Sequence, residues 1–256
     1  MRRRDTSSSV PSARRSAMLE HGHSPEAIRE RLSRTFRPSF LRDWIYGGID
    51  GVVTTFAIVS GVAGARLSSK IVLILGFANL LADGFSMAAA NFLGTRAERD
   101  QLERLEAIEH RHIDEVPEGE REEIRQIFRG KGLDGEPLER VVEAITSDRT
   151  RWVQTMLREE YGMPEEVRSP LRAAASTFVA FVVCGLVPIV PYLFGAADAF
   201  GPAMVASALV FFAIGSLKSR WSPQSWWRSG LETLGVGSAA AAAAYAVGVL
   251  LRNLPG

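Results

Sequence analysis

Residues 71–93 read IVLILGFANLLADGFSMAAANFL, an apolar run broken by one carboxylate, Asp83. The run is as long as the ~20 residues a helix needs to cross the hydrocarbon of a bilayer. Its apolar residues fall on every side of a helix, whereas a helix lying on a soluble core shows a stripe. Four other blocks share this character: Trp44 to Ala65, Ala173 to Phe194, Pro202 to Leu217 (the shortest) and Leu231 to Leu251. The chain as a whole is only 46% hydrophobic, a value that suits a soluble protein and hides how strongly the apolar residues are segregated. The reading is an all-α integral membrane protein with five transmembrane helices.

The first block begins too far along the chain and runs too long for a signal-peptide h-region, and it lacks a small-residue cleavage pattern. Cys184, the single cysteine, falls in the third block, so no disulfide forms within one chain. Residues 1–42 are expected to be a basic disordered tail followed by an amphipathic helix. In the tail, His21 and His23 read as solvated side chains. Ser24 as N-cap, Pro25 at the first helical position and Glu26 in the first turn mark the start of that helix. Ile28, Leu32 and Phe36 share one of its faces, with Arg29, Arg31, Arg34 and Arg37 around them, a pattern that suits either a helix in the membrane interface or a solvated linker.

Residues 43–94 hold the first two membrane helices and residues 171–256 the last three. Orientation follows from the Lys and Arg residues near the spans. The N-terminal flank carries Arg29, Arg31, Arg34, Arg37 and Arg42, and the loop after the fourth span carries Lys218, Arg220 and Arg228. The loop after the third, GAADAFG, carries none, while Arg66 and Lys70 after the first are a minor dissent. The N-terminus and residues 95–170 are therefore expected in the cytosol, and the Arg-rich tail and simple architecture suit a bacterial inner (plasma) membrane.

Residues 95–170 are polar and read as four helices. The first, AERDQLERLEAIEHRHIDE, has an apolar side at Leu102, Leu105 and Ile108. The second starts at Pro117 and stops near Gly130 and Gly132. The third offers Val141, Val142 and Ile145 to a core, and the fourth Trp152, Val153 and Leu157.

Ionisable side chains inside a span are costly and usually mark a path for ions or protons. In YGGIDGVVTTFAIVSGVAG (46–64), Gly47, Gly51, Thr54, Ile58 and Gly61 share a face, with Asp50 beside it. Small residues let another helix approach closely, so Asp50 is expected to point into a helix–helix seam. In the second span Asn79, Asp83 and Met87 follow at i, i+4 and i+8, presenting an amide oxygen, a carboxylate and a thioether on one face. Carboxylates take hard and borderline cations, and a thioether tilts a site toward transition metals. The alternatives are that Asp83 and Asn79 only bind helices together and that Met87 is filler.

The stretches LRDWIYGGIDGVVTTFAIVSGVAGA and GFANLLADGFSMAAANFLG resemble the first two spans of the vacuolar iron transporter (VIT) family, in a bacterial-type form. GLVPIVPYLF resembles the third span of that family, and Glu232 in LETLGVGSAAAAAA the start of the fifth. The resemblance implies a homodimer of five-span subunits that moves divalent iron near the dimer axis in exchange for protons. Asp50 matches the family's aspartate in span one and Met87 its methionine in span two. Plant and fungal members have a glutamate where this chain has Asn79, and a small residue where it has Asp83. The carboxylate stands one helical turn further along.

The resemblance also implies that the polar insert is a metal-binding domain. Glu109, Glu120, Glu123, Met156 and Glu160 match its ligand set, His112 stands where the family has a glutamate, and Leu157 stands in place of a second methionine. The residues themselves agree in part. Glu109 and His112 are spaced i, i+3, as are Glu120 and Glu123, and such pairs from adjacent helices bracket a cation. The plainer alternative is a solvated acidic face laced with Arg104, Arg111, Arg121 and Arg125. Glu109 to His112 is also a Glu-x-x-His pattern of di-iron bundles, but no second copy falls on the other expected helices, which weakens a ferroxidase reading.

The expected function is proton-coupled export of Fe²⁺ or Mn²⁺ from the cytosol by a protein that is not an enzyme and holds no permanent cofactor. Its expected partners are divalent metal ions, protons, the lipid bilayer and a second copy of the chain, with no nucleic acid. The Gly-rich face of span one is the sequence feature that supports a dimer. The rival readings are a transporter for zinc or cobalt and a membrane-anchored metal buffer or sensor without flux.

Overall fold

A computed structural model describes residues 22–33, 39–164, 168–195 and 198–253. The tail expectation, with His21, and the part of the basic helix that includes Phe36 lie outside these residues. Among the described residues the regular structure is all helical. Helix α1 (Pro25–Ser33) is a separate unit and buries no residue. Ser24 caps it as expected, its Oγ accepting from the Ala27 N–H at 3.2 Å.

The second unit, Ser39–Gly256, contains α2 (Leu41–Gly64), α3 (Ser69–Glu115), α4 (Pro117–Gly130), α5 (Gly135–Thr146), α6 (Arg149–Glu159), α7 (Pro170–Leu186), α8 (Val190–Leu193), α9 (Phe200–Lys218) and α10 (Trp226–Leu251). Among the described residues, four helices are long and apolar enough to cross a membrane: α2, α3, α9 with its 3-10 extension to Trp221, and α10. The third apolar block behaves differently. It forms a 17-residue helix, α7, and then breaks before α8. Pro188 and Pro191 fall at this break, and proline has no N–H to donate to the carbonyl one turn back.

Helix α2 is the hub of the membrane part and packs against α3, α7, α9 and α10. The glycine face serves these contacts within the chain. A Cβ on Gly51 would lie 2.2 Å from the Phe181 carbonyl oxygen of α7, and one on Gly248 of α10 would lie 2.1 Å from the Gly61 carbonyl oxygen. Backbones meet at these points, as small residues allow. This corrects the use of the face as support for a dimer, since its neighbours are α7 and α10 of the same chain.

Helix α3 also departs from expectation. The second span and the first helix of the polar insert are one continuous 47-residue helix, ~70 Å long at 1.5 Å per residue. The sequence changes from apolar to charged near Gly94, but nothing there breaks a helix, and pairs such as Arg99 with Glu103 (2.8 Å) suit it. The boundary placed between residues 94 and 95 thus falls inside a helix. Helices α4, α5 and α6 pack with the outer end of α3 around Ile113, Ile124, Leu138, Val142, Ile145, Trp152, Val153, Met156 and Leu157.

Candidate metal sites

In the membrane part, Asp50 and Met87 line one cavity of about 730 Å³ together with Asp43, Tyr46, Asn91 and Arg168. Helix α2 brings Asp43 and Asp50, two turns apart, and α3 brings Met87 and Asn91, one turn apart. The expected seam around Asp50 is thus a cavity rather than a tight contact. A carboxylate and a thioether on its wall form a mixed hard and soft donor set of the kind first-row transition metals accept.

The proposed ladder along α3 separates into three environments. Asn79 donates to Thr54 Oγ1 (3.1 Å) and Thr55 Oγ1 (3.3 Å), which commits its amide to holding α3 against α2. Asp83 is exposed on α3. It lies close enough to Asp50 for its charge to reach that carboxylate. Met87, of the three, lines the cavity.

Asp43 is a buried carboxylate, 4% exposed, that the sequence reading passed over. Arg168 Nη1 donates to its Oδ1 (2.8 Å) and Oδ2 (2.9 Å), and Asn91 Nδ2 donates to Oδ1 (3.0 Å). The Asn91 amide also reaches Thr177 Oγ1 of α7 at 2.7 Å, and its oxygen accepts from Thr95 at 3.3 Å. This network ties α2, α3, α7 and the strand of chain returning from the helical domain into the mouth of the cavity. One signal for it was available: Asn91 continues the i+4 series Asn79, Asp83, Met87. Arg168 gave none, because it pairs across 125 residues.

The helical domain assembles a second cluster. Ligand-capable atoms of Glu109, His112 and Glu120 all lie within 4.8 Å of one another. Glu109 and Glu120 are 1% and 2% exposed, while the His112 side chain is 40% exposed. His112 Nδ1 lies 3.2 Å from Glu120 Oε1, and Glu109 Oε1 accepts from the Tyr161 hydroxyl at 3.0 Å. The second oxygens of both glutamates are buried without a hydrogen-bond partner. Such unpartnered buried oxygens are costly and are of the kind a bound cation would satisfy.

Glu123 and Glu160 are exposed at the rim, and their charges reach Glu120. Burial first, and then the charges of Glu123 and Glu109, push the Glu120 carboxyl up to about 7. Burial, Glu123 and Glu109 push Glu160 up as well. Burial, then the hydrogen bond to Glu109, raises the Tyr161 phenol and keeps its proton in place to donate. Met156 of α6 is fully buried in the domain core, as is most of Leu157.

Arg121 and Arg125 of the acidic face, and Arg149 beyond it, pair elsewhere. Arg121 meets Glu118, Arg125 meets Glu122 and Glu139, and Arg149 grips Asp114 (2.5 and 2.7 Å). These contacts sit on the outside of the domain and do not neutralise Glu109 or Glu120. The arrangement therefore differs from a simple solvated face.

Comparison with known proteins gives a consistent result. The model of the VIT family matches residues 41–249. Vacuolar iron transporter 1 of Arabidopsis thaliana is 32% identical over 218 residues, 83% of this chain and 86% of that protein. Vacuolar iron transporter 2 of Oryza sativa subsp. japonica is 32% identical over 84% of this chain and 88% of its own length. The vacuolar iron transporter of Toxoplasma gondii is 32% identical over 85% and 76%.

Proposed function

The chain belongs to the VIT family, and from that membership we infer that it is an integral membrane metal transporter, not an enzyme. We propose further that its cargo is Fe²⁺, with Mn²⁺ as a second substrate, moved out of the cytosol in exchange for protons and with no resident cofactor. The observation that carries this reading is the cavity lined by both Asp50 and Met87. Asp50 would bind the metal while ionised and release it when protonated, which is how one carboxylate couples the two flows.

The geometry suggests a division of labour. Glu109, His112 and Glu120, with Glu123, Glu160 and Met156, gather metal from the cytosol. Helix α3 joins this domain to the wall of the membrane cavity without a break. Five spans are proposed: α2, the first half of α3, α7 continued by α8, α9 and α10. The Lys and Arg distribution favours a cytosolic N-terminus and helical domain, with the C-terminus on the opposite side after five crossings. The membrane proposed is a bacterial inner membrane.

Asp83 supports a homodimer. An exposed carboxylate within a membrane span costs a few kcal/mol or more if it meets lipid. A second copy laid over that face of α3 would cover it and bring Asp83 into the path beside Asp50. The test is metal flux in proteoliposomes, with and without a proton gradient, across Fe²⁺, Mn²⁺, Zn²⁺ and Co²⁺. Fe²⁺ and Mn²⁺ flux that rises with a gradient acidic on the receiving side is expected. Binding without flux of any ion points instead to a membrane-anchored buffer, and a zinc or cobalt preference to a different cargo.

A further inference from the structure

Tyr161 belongs to neither the expected ligand set nor a regular helix. It follows α6 by two residues and precedes Gly162, whose φ of +65° turns the chain. The Met163 N–H donates to the Leu157 carbonyl at 2.9 Å and closes that turn. The Tyr161 ring packs against the domain core as a partly buried member of it. Its hydroxyl reaches the cluster, where it donates to Glu109 Oε1 at 3.0 Å and also interacts with the Glu160 carboxylate at the rim. An apolar body fixed in a core with a polar tip at a site is how tyrosine positions a neighbour.

The consequence lies in how many oxygens each glutamate has left. Glu109 has Oε1 occupied by Tyr161, and its buried Oε2 is without a partner. Glu120 is arranged in the same way, with Oε1 3.2 Å from His112 Nδ1 and Oε2 without a partner. Each carboxylate therefore has one oxygen free of any protein partner and one that a neighbour already orients. Ca²⁺ takes about 6–8 oxygen ligands and commonly draws two from one carboxylate. First-row transition ions accept fewer donors and a mixed set that includes imidazole.

We propose that Tyr161 is a specificity-determining residue of the helical domain, holding Glu109 to one-oxygen ligation and thereby favouring first-row transition ions over Ca²⁺. The inference rests on the reading of this cluster as a metal-gathering site. Tyr161 acts through Glu109 and does not itself touch the ion.

The experiment is isothermal titration of the full-length protein in detergent with CoCl₂, an air-stable first-row ion, and with CaCl₂. An Asp50→Ala background silences the membrane cavity. The parent protein should prefer Co²⁺. In Tyr161→Phe, which keeps the ring and removes the hydroxyl, the Co²⁺ over Ca²⁺ preference should fall about tenfold, as when an outer partner of a ligand is lost. Tyr161→Leu should show the same fall. If both variants keep the parent ratio, or lose both ions by one factor as a packing defect would cause, the proposal is overturned. If the parent binds neither ion, the metal-gathering reading itself fails, and this inference with it.

Discussion

The two halves of the molecule bury carboxylates in opposite ways. In the membrane part, Asp43 is closed off by Arg168 and Asn91, so its charge is balanced by the protein. In the helical domain, Glu109 and Glu120 are buried as deeply, yet each keeps one oxygen without a partner, and His112 is the contact set against Glu120. The first arrangement holds helices together, while the second leaves a demand for a cation. Burial alone therefore does not suggest a metal site; burial with an unmet partner does. Asp50 lies between these cases, half-buried on a cavity wall, able to take a cation from outside or a proton.

The contrast breaks if Asp43 behaves like the domain carboxylates. Arg168→Ala leaves Asp43 buried and unpaired, and removal of one partner of such a pair costs about 3–5 kcal/mol. A large fall in thermal stability in detergent is expected, with recovery in the double variant Asp43→Asn, Arg168→Met. If Arg168→Ala is as stable as the parent, the pair is not structural. The packing that frames the cavity is tested by Gly51→Ala. Its Cβ meets the Phe181 carbonyl at 2.2 Å, so α2 and α7 must separate, at a cost of about 1–3 kcal/mol read as a smaller shift in the same assay.

The third expected effect is the smallest and concerns pH. The Glu120 carboxyl titrates near 7 in the folded chain, above its ordinary value of 4.5. The native state therefore holds this proton more tightly than the unfolded state does. The stability it contributes is complete below the unfolded value and is lost as pH rises through about 7. Metal can replace the proton, so stabilisation by added Co²⁺ should grow between about pH 6 and 8. Glu120→Gln should flatten that dependence, and a parent profile with no pH dependence would contradict the assignment.

Much of this was legible in the sequence. Apolar runs of membrane length stand out in any window, and the Pro117 start and the Gly130 stop of α4 were read from local chemistry. The Glu109 and His112 pair followed from helical spacing. The continuity of α3 was missed because a change in composition was taken for a change in backbone, although Gly94 alone does not end a helix. The break between α7 and α8 was written in Pro188 and Pro191 and was overridden by hydropathy. Other features are not local at all. Arg168 finds Asp43, and Tyr161 finds Glu109, only after folding. Nor does periodicity say whether a glycine face meets its own chain or a second copy, or that the Asn79 amide is taken by Thr54 and Thr55.

The central claim is that the Asp50 and Met87 cavity carries the metal while the helical domain gathers it. It is tested most directly by measuring Fe²⁺ flux and metal binding on the same preparation of Asp50→Ala. Flux into proteoliposomes should fall to the background of protein-free vesicles, while the helical domain keeps its parent affinity. Parent-level flux from Asp50→Ala would contradict the account.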